Sequence, residues 1–224
     1  MDKTFIILAG HYGSGKTNLA INLAVTKKTA ENAVTVVDLD IINPYFRLAD
    51  GDAVLREKGI KTLCPVFANT NVDIPVLPPE LSGVFSASYG GDVVVDVGGD
   101  EAGAIALGRY AGEISDRRYQ MLLVVNKYRP FTTTASGSIE VMEQIMSVSR
   151  QKFTGIAANP NLGRETTAET VLSAVPYYEE LSQKTGLPIT FTAVREDLCG
   201  QCASGIPGDV FPIKIYSKPG WEIY

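Results

Sequence analysis

A glycine-rich loop between a predicted strand and a predicted helix constrains the fold of this chain more than any other stretch. It follows the apolar residues 5–9 and leads into a helical pattern from residue 16. Its residues are Gly10, His11, Tyr12, Gly13, Ser14, Gly15, Lys16 and Thr17. Glycines let backbone N–H groups point inward at an anion, and the following helix turns its positive end toward the same anion. The spacing therefore predicts a loop that binds a polyphosphate.

Two side chains at the end of this loop are predicted to contact the phosphates and their metal ion. In such a loop the Lys16 ammonium reaches the β- and γ-phosphates, and the Thr17 hydroxyl completes a Mg²⁺ shell. The other loop residues and Asn18, at the start of the helix, are predicted to surround the bound phosphates.

The rest of the chain alternates between apolar strands and helical patterns. Strands are predicted at about residues 5–9, 34–38, 92–97, 121–125, 155–158 and 189–193, and helices at about 16–27, 46–58, 102–114, 136–152 and 167–184. Pro176 is expected to break the last helix in two, and residues 65–79 are expected to be irregular. Continuously apolar strands indicate a mostly parallel sheet covered by helices on both faces. The pattern predicts a doubly wound α/β fold, and the absence of a linker or repeat over 224 residues predicts one domain, 1–224.

Carboxylates stand at the ends of two predicted strands. Asp38 and Asp40 end the second strand, and Asp96 ends the third, where Gly98 and Gly99 follow it. Ligands of open α/β sheets bind at this carboxyl edge. Asp96 is predicted to hold the metal, and the glycine pair is where the backbone approaches the γ-phosphate and moves when it leaves. The next two residues, Asp100 and Glu101, are predicted to cap the following helix.

The loop and the two acidic strand ends together resemble the deviant Walker A loop and switch segments of the MinD/ParA/CobQ-like ATPases. In that family the second Asp of a D-x-D segment contacts the attacking water, which corresponds to Asp40, while Asp38 shapes the site or contacts the metal shell. The resemblance implies that Asp96 and Gly98 lie in the second switch. It also implies a P-loop ATPase that binds Mg·ATP, forms a homodimer over the nucleotides and hydrolyses ATP slowly. Such a switch acts on a client protein, and a role as a metalloprotein accessory factor is one option.

His11 departs from the pattern of that family. A signature lysine occupies this position in the family and reaches across the dimer to the partner's nucleotide. An imidazole with an ordinary pKa of about 6.5 is mostly neutral at pH 7, so a permanent charge is not expected here. Two interpretations stay open, a loop residue bonded to nearby backbone and a phosphate-sensing residue.

Three segments bear on the choice of base. The run from Asn126 to Arg129 begins like the guanine motif N-K-x-D but has arginine in place of the aspartate, which disfavours GTP. By the family resemblance, Asn159 corresponds to the asparagine that contacts adenine, although the Asn-Pro dipeptide is also typical of a turn. Arg195, in the loop after the sixth predicted strand, is a candidate for stacking or phosphate contact.

Cys199 and Cys202 form a C-x-x-C pair. Two thiolates can bind one soft metal, so a zinc or iron–sulfur site is one hypothesis, although closing it requires further ligands such as a second pair across a dimer. A redox dithiol and two inert cysteines are the alternatives. Cys64 is expected in the core.

Composition excludes several classes of function. The net charge is −5 and only two adjacent basic pairs occur, which disfavours nucleic acid. No apolar run reaches the ~20 residues of a membrane span, so no spanning helix is expected. Prolines and a glycine interrupt the C-terminal tail, residues 211–224, so no membrane-docking helix is expected there. We expect a cytoplasmic protein, since no signal peptide precedes the first strand and three cysteines suit a reducing compartment. A small-molecule kinase or ligase and a non-hydrolysing nucleotide-binding module remain alternative functions.

Overall fold

The computed structural model of the chain describes residues 3–40, 49–64, 66–67, 75–76 and 78–216. The described strands are β1 (Phe5–Ala9), β2 (Val34–Leu39), β3 (Lys61–Leu63), β4 (Val66–Phe67), β5 (Pro75–Val76), β6 (Asp92–Val97), β7 (Gln120–Val125), β8 (Gly155–Ala158), β9 (Ile189–Arg195) and β10 (Asp209–Ile213). The described α-helices are α1 (Lys16–Lys27), α2 (Ala49–Glu57), α3 (Glu80–Phe85), α4 (Glu101–Gly108), α5 (Ala111–Ser115), α6 (Ala135–Ser149), α7 (Ala168–Leu172), α8 (Val175–Thr185) and α9 (Cys199–Cys202). Two short 3-10 turns cover Gly163–Glu165 and Glu196–Leu198.

Eight strands form one parallel sheet, which confirms the predicted α/β fold. Their order is β10-β9-β8-β7-β1-β6-β2-β3, so β1 lies between β7 and β6 in the middle of the sheet. Alternate residues of β1 enter different cores, because Phe5 and Ile7 pack on one face while Ile6 and Leu8 pack on the other. Helix α1 covers the second face, and α6 and α8 cover the first. Burial on both faces explains why these strands are continuously apolar.

The predicted helices agree with the structure except where a turn interrupts them. The pattern at 102–114 forms two helices, α4 and α5, and the pattern at 167–184 forms α7 and α8. Pro176 lies in the first turn of α8, where its missing N–H costs no hydrogen bond, so the predicted break is confirmed. Asp100 caps α4, since its carboxylate accepts the Gly103 N–H at 3.0 Å. The start of the helix predicted at 46–58 lies outside the described residues.

Four strands were not predicted from the sequence. β3 is three residues long, and β4 and β5 form a two-residue antiparallel pair inside a stretch predicted to be irregular. β10 contains Pro212, which is tolerated because β10 is an edge strand bonded only on the side of β9. The prediction that the tail is not helical is confirmed as far as residue 216, and residues 217–224 lie outside the described part. The prediction of a core position for Cys64 is wrong, because this residue is exposed.

Two buried asparagines of α1 fasten the segment that follows β10. The side-chain amides of Asn18 and Asn22 donate to the Lys214 carbonyl at 2.9 and 2.8 Å. Their oxygens accept the N–H groups of Tyr216 and Lys214 at 2.7 and 2.9 Å. The two side chains are one helical turn apart and therefore face the same way. They tie the end of the described chain to the helix that follows the glycine-rich loop.

None of the helices in the described part of the chain is long and apolar enough to cross a bilayer.

Candidate functional site

The glycine-rich loop lies at the carboxyl end of β1, and α1 begins at its last residues. Gly15 has φ 93°, and a Cβ there would collide with the side-chain amide of Asn159, so glycine is required. No described side chain caps the start of α1, and its first turn holds no acidic residue. The positive end of the helix dipole therefore faces the loop with no acidic side chain of the first turn to offset it.

Lys16 lies across the loop rather than pointing to solvent. The residue is 3% exposed, and its Nζ donates to the His11 carbonyl at 3.1 Å. The same carbonyl accepts the Ser14 N–H at 3.2 Å, so the ammonium group and a loop N–H share one acceptor. Lys16 thus lies at the loop, and its predicted contact with the β- and γ-phosphates stays a prediction.

The hydroxyl of Thr17 and the carboxylate of Asp96 meet at the end of the sheet. Thr17 Oγ1 donates to Asp96 Oδ2 at 2.6 Å, and both residues are buried. Asp96 is the register neighbour of Asp38 across β6 and β2, so a second carboxylate stands on the adjacent strand. Mg²⁺ binds through one or two such oxygen groups and keeps several waters. This donor set fits Mg²⁺.

The second predicted switch segment contacts both the first one and the loop. Asp38 Oδ1 accepts the Asp40 N–H at 2.8 Å, and both residues are buried. A Cβ on Gly98 would lie 3.2 Å from Asp40 Cα, and one on Gly99 would lie 2.7 Å from the Tyr12 backbone nitrogen. Glycine at 99 is needed for this approach. A shift of the loop would therefore act on the second segment directly and on the first segment through the second.

Asn159 braces the loop from the neighbouring strand end. Its side-chain amide donates to the Ser14 carbonyl at 2.7 Å, and the residue is 3% exposed. Its backbone N–H bonds to the Val125 carbonyl at 2.9 Å, which holds it beside the loop. The predicted contact with a base stays a prediction, and the structure adds a positioning role that was not predicted.

Arg129 also contacts the loop, a contact that sequence reasoning did not find. Its Nε donates to the Gly13 carbonyl at 3.1 Å, across 116 residues of sequence. The sequence signal that could have pointed to this contact is the position of Arg129, at the end of the segment after β7 that begins like a guanine motif.

His11 lies on the outer side of the loop. Its ring is 4.8 Å from the Phe131 ring, and its Nδ1 is 3.1 Å from the Tyr12 carbonyl oxygen. This arrangement matches the interpretation of a loop residue bonded to nearby backbone. A phosphate-sensing role stays a prediction.

Arg195 is held by groups close to it. Its guanidinium bonds to both oxygens of Asp197 and to the Gly163 carbonyl at 3.3 Å. The hydrogen bond with Asp197 raises the pKa of Arg195 and lowers the pKa of the carboxyl. Arg195 thus joins the loops after β8 and β9, and its predicted contact with a nucleotide stays a prediction.

The two cysteines of the C-x-x-C pair lie on α9 and face the interior. Cys202 is completely buried in a cluster with Val171 and Leu198, and the Cys199 thiol donates weakly to backbone carbonyls at 3.6 and 3.7 Å. Burial, followed by nearby negative groups, raises the pKa of both thiols, whereas metals bind the thiolate. In the described ranges no group of three or more His, Cys, Asp or Glu side chains could hold a metal ion. The hypothesis of a shared zinc or iron–sulfur site gains no support, because Cys202 would have to leave its apolar cluster.

No protein-family model matches the sequence, and no curated protein is detectably similar to it. Solved structures do share the fold. FtsY from Thermotoga maritima, described as a cell division protein, has a TM-score of 0.54 at 15% identity over 86% of this chain and 62% of its own. Chloroplast FtsY from Physcomitrella patens has a TM-score of 0.55 at 16% identity over 86% and 58%. The signal recognition particle receptor FtsY from Elizabethkingia anophelis, solved with GDP, has a TM-score of 0.50 at 18% identity over 87% and 58%.

This chain spans about three fifths of the length of these proteins. At such identities the likeness concerns the fold. The chain has the α/β fold of the P-loop NTPases, with its glycine-rich loop, Thr17 and Asp96 at the carboxyl edge of the parallel sheet.

Proposed function

We propose that this protein is an ATP-dependent molecular switch of the MinD/ParA/CobQ-like type, which binds Mg·ATP and hydrolyses it slowly. The observation that carries the proposal is the hydrogen bond of 2.6 Å between Thr17 and Asp96. It joins the hydroxyl of the phosphate-binding loop to the carboxylate of the neighbouring strand, which is the pair that holds Mg²⁺ in P-loop NTPases. An FtsY of the same fold has been solved with GDP, which supports a nucleotide as the ligand.

Each residue of the site has a distinct part in this proposal. The backbone N–H groups of the loop and the start of α1 bind the phosphates, and the buried Lys16 ammonium offsets their charge. Thr17 and Asp96 would hold Mg²⁺, which neutralises charge on the phosphate oxygens when bound. Asp40 orients the attacking water, and Gly98 and Gly99 report loss of the γ-phosphate. The Gly98–Gly99 segment contacts the first segment at Asp40 and the loop at Tyr12.

ATP is proposed over GTP because the chain lacks the aspartate that recognises guanine in the N-K-x-D motif. Arg129 stands at that position in the only segment that begins like the motif. Guanine has an amide edge that a carboxylate reads, and this position of the segment has no carboxylate. Competition between ATP and GTP for the same site tests this choice.

The nucleotide proposal is tested by the Lys16→Ala variant. Titration with a fluorescent ATP analogue should show affinity reduced by about tenfold or more, since charge-assisted hydrogen bonds to phosphate are lost. Lys184→Ala is the matched control, because Lys184 lies on the surface of α8 and pairs only with Glu180 among the described residues. Equal affinity of wild type and Lys16→Ala would contradict the proposal.

Nucleotide-dependent dimerisation is tested with Asp40→Asn. This variant should bind ATP but release phosphate much more slowly, because the water is no longer oriented by a carboxylate. Light scattering with Mg·ATP should then give twice the mass measured without nucleotide. A monomeric mass in both conditions, together with no phosphate release by wild type, would favour a non-hydrolysing nucleotide-binding module.

A further inference from the structure

The segment from Asn126 to Arg129 has no role in the function proposed above, yet it reaches the glycine-rich loop. Arg129 is half-buried, and its Nε donates to the Gly13 carbonyl at 3.1 Å. Its Cδ and Nε both lie 3.7 Å from where a Cβ of Gly13 would stand. The arginine therefore lies directly on the loop that would receive the phosphates.

The loop that carries Arg129 is held in one conformation by its own hydrogen bonds. Asn126 Oδ1 accepts the Tyr128 N–H at 3.0 Å, and Thr132 Oγ1 donates to the Asn126 carbonyl at 2.7 Å. The Tyr128 hydroxyl donates to the Thr170 carbonyl at 2.6 Å, which ties the loop to α7. Phe131 has φ 61°, a strained conformation for an aromatic residue. Strain of this kind persists only where neighbouring contacts fix the backbone, and it concentrates at functional sites.

Most of the hydrogen-bonding capacity of Arg129 is unused within the described residues. A guanidinium has five N–H donors in a rigid plane, and only Nε has a partner there. Arg195 differs, because its three nitrogens bond to Asp197 and to carbonyls. Arg117 differs as well, because its Nη1 bonds to carbonyls of residues 84 to 86. Fixing Nε on the loop also fixes both terminal nitrogens near it, since the group is planar.

We propose that Arg129 binds the phosphate chain of the nucleotide held by its own glycine-rich loop. The inference rests on the nucleotide proposal above and deepens it. Arg129 would supply a permanent positive charge beside the loop. The two terminal nitrogens match the oxygens of a phosphate, which they can bind in a bidentate manner.

The experiment compares Arg129→Ala with wild type, using Mg·ATP and inorganic tripolyphosphate as separate probes. Tripolyphosphate has no base or ribose, so it reports the phosphate contacts alone. We expect affinity for both probes to fall by about tenfold or more, the effect of a charge-assisted contact. A loss for ATP with no loss for tripolyphosphate would place Arg129 on the nucleoside and overturn the inference. Equal affinities of variant and wild type for both probes would also overturn it.

Two further variants separate phosphate binding from bracing of the loop. Arg129→Gln keeps a side-chain donor for the Gly13 carbonyl but has no charge, whereas Arg129→Lys keeps the charge. We expect Lys to retain part of the affinity for tripolyphosphate and Gln to lose as much as Ala. Near wild-type affinity of Arg129→Gln would show that the residue only braces the loop. Partial rescue of Arg129→Ala by added guanidinium ion would support the contact with phosphate.

The outcomes of this test and of the nucleotide test are distinguishable. If wild type binds neither ATP nor tripolyphosphate, the proposed function fails. If wild type binds both and Lys16→Ala does not, while Arg129→Ala binds as well as wild type, only the role of Arg129 fails. Thermal melting of each variant confirms that the comparison is made on folded protein.

Discussion

Single side chains from distant parts of the chain give the glycine-rich loop its shape. Asn159 donates to the Ser14 carbonyl and Arg129 to the Gly13 carbonyl, so two consecutive loop carbonyls each have a side-chain donor. Both donors come from segments that follow neighbouring strands of the sheet, β8 and β7. The conformation of the loop therefore depends on residues far from it in the sequence.

At the residue scale, we predict that Asn159→Ala lowers affinity for tripolyphosphate as well as for ATP. Loss of the hydrogen bond to Ser14 leaves a buried carbonyl without that donor and relaxes the loop. We expect this to weaken the free energy of binding of each probe by about 1–3 kcal/mol. Isothermal titration with each probe measures the effect. If Asn159 acts only through the base, tripolyphosphate binding will be unchanged and the bracing role is wrong. Lys184→Ala is again the comparison variant, because Lys184 lies on the surface of α8 and pairs with Glu180.

At the scale of elements, α1 links the glycine-rich loop to the last strand of the sheet. Its first residues belong to the loop, and Asn18 and Asn22 bond to the backbone beyond β10. These bonds resemble the hydrogen bonds that a neighbouring strand would make, because they use the backbone N–H and C=O of Lys214 and the N–H of Tyr216. The helix is thereby held at both the centre and the edge of the sheet, and a shift of its first turn would reach the end of the described chain.

We predict that Asn22→Ala lowers the free energy of unfolding by about 1–2 kcal/mol, as lost buried hydrogen bonds outweigh the better helix propensity of alanine. Urea denaturation measures the change. Lys214→Ala is the control, because Lys214 joins the asparagines through its backbone, and its exposed side chain forms a 3.7 Å ion pair with Glu196 as its one ion pair among the described residues. Equal denaturation midpoints for Asn22→Ala and the control would contradict a stabilising role of this contact.

At the scale of the whole molecule, the two ends of the parallel strands have different roles. The candidate site occupies the carboxyl edge, while a polar network ties the strand starts together at the opposite edge. There Asp92, at the start of β6, accepts the N–H and hydroxyl of Thr4 at 2.7 and 2.9 Å and the Asn32 amide at 2.7 Å. Thr4 precedes β1 and Asn32 precedes β2, so the network joins the three neighbouring strands β1, β6 and β2.

The pKa of Asp92 predicts how this network responds to acid. Burial alone would raise the pKa, but the hydrogen bonds from Thr4 and Asn32 and the charge of Lys27 outweigh it and lower the pKa. A lowered pKa in the folded state means that the stabilisation is complete above the ordinary value of about 3.9 and is lost as pH falls through the folded value.

We therefore predict that Asp92→Asn is less stable than wild type at pH 7, by about 1–3 kcal/mol, and less sensitive to pH below about 4. Chemical denaturation at a series of pH values measures both effects. Asp209→Asn, a change at an exposed strand start, is the control. Because the network lies at the edge opposite the site, ATP affinity should be unchanged. A parallel pH profile of variant and wild type would contradict the assignment.

Much of the fold could be predicted because its signals are local. β1 is an unbroken apolar run and β6 has three consecutive valines; the predicted bounds of both match the structure, and α1 follows the glycine-rich loop without a break. β3 and β10 were missed because an edge strand is short, half-exposed or interrupted by proline, and its pairing depends on a neighbour far along the chain. The interior position of Cys202 was missed for a related reason, since a C-x-x-C spacing carries no information on burial.

The sequence alone determined the glycine-rich loop, the carboxylates at the ends of β2 and β6, and the α/β class, because each depends on residues adjacent in the chain. Only the tertiary structure decided which distant side chains surround that loop. Asn159 and Arg129 reach it from 145 and 116 residues away. They do so because the sheet order places the carboxyl ends of β7 and β8 on one side of β1. Strand order is set by packing of the whole sheet, and no local pattern of residues encodes it.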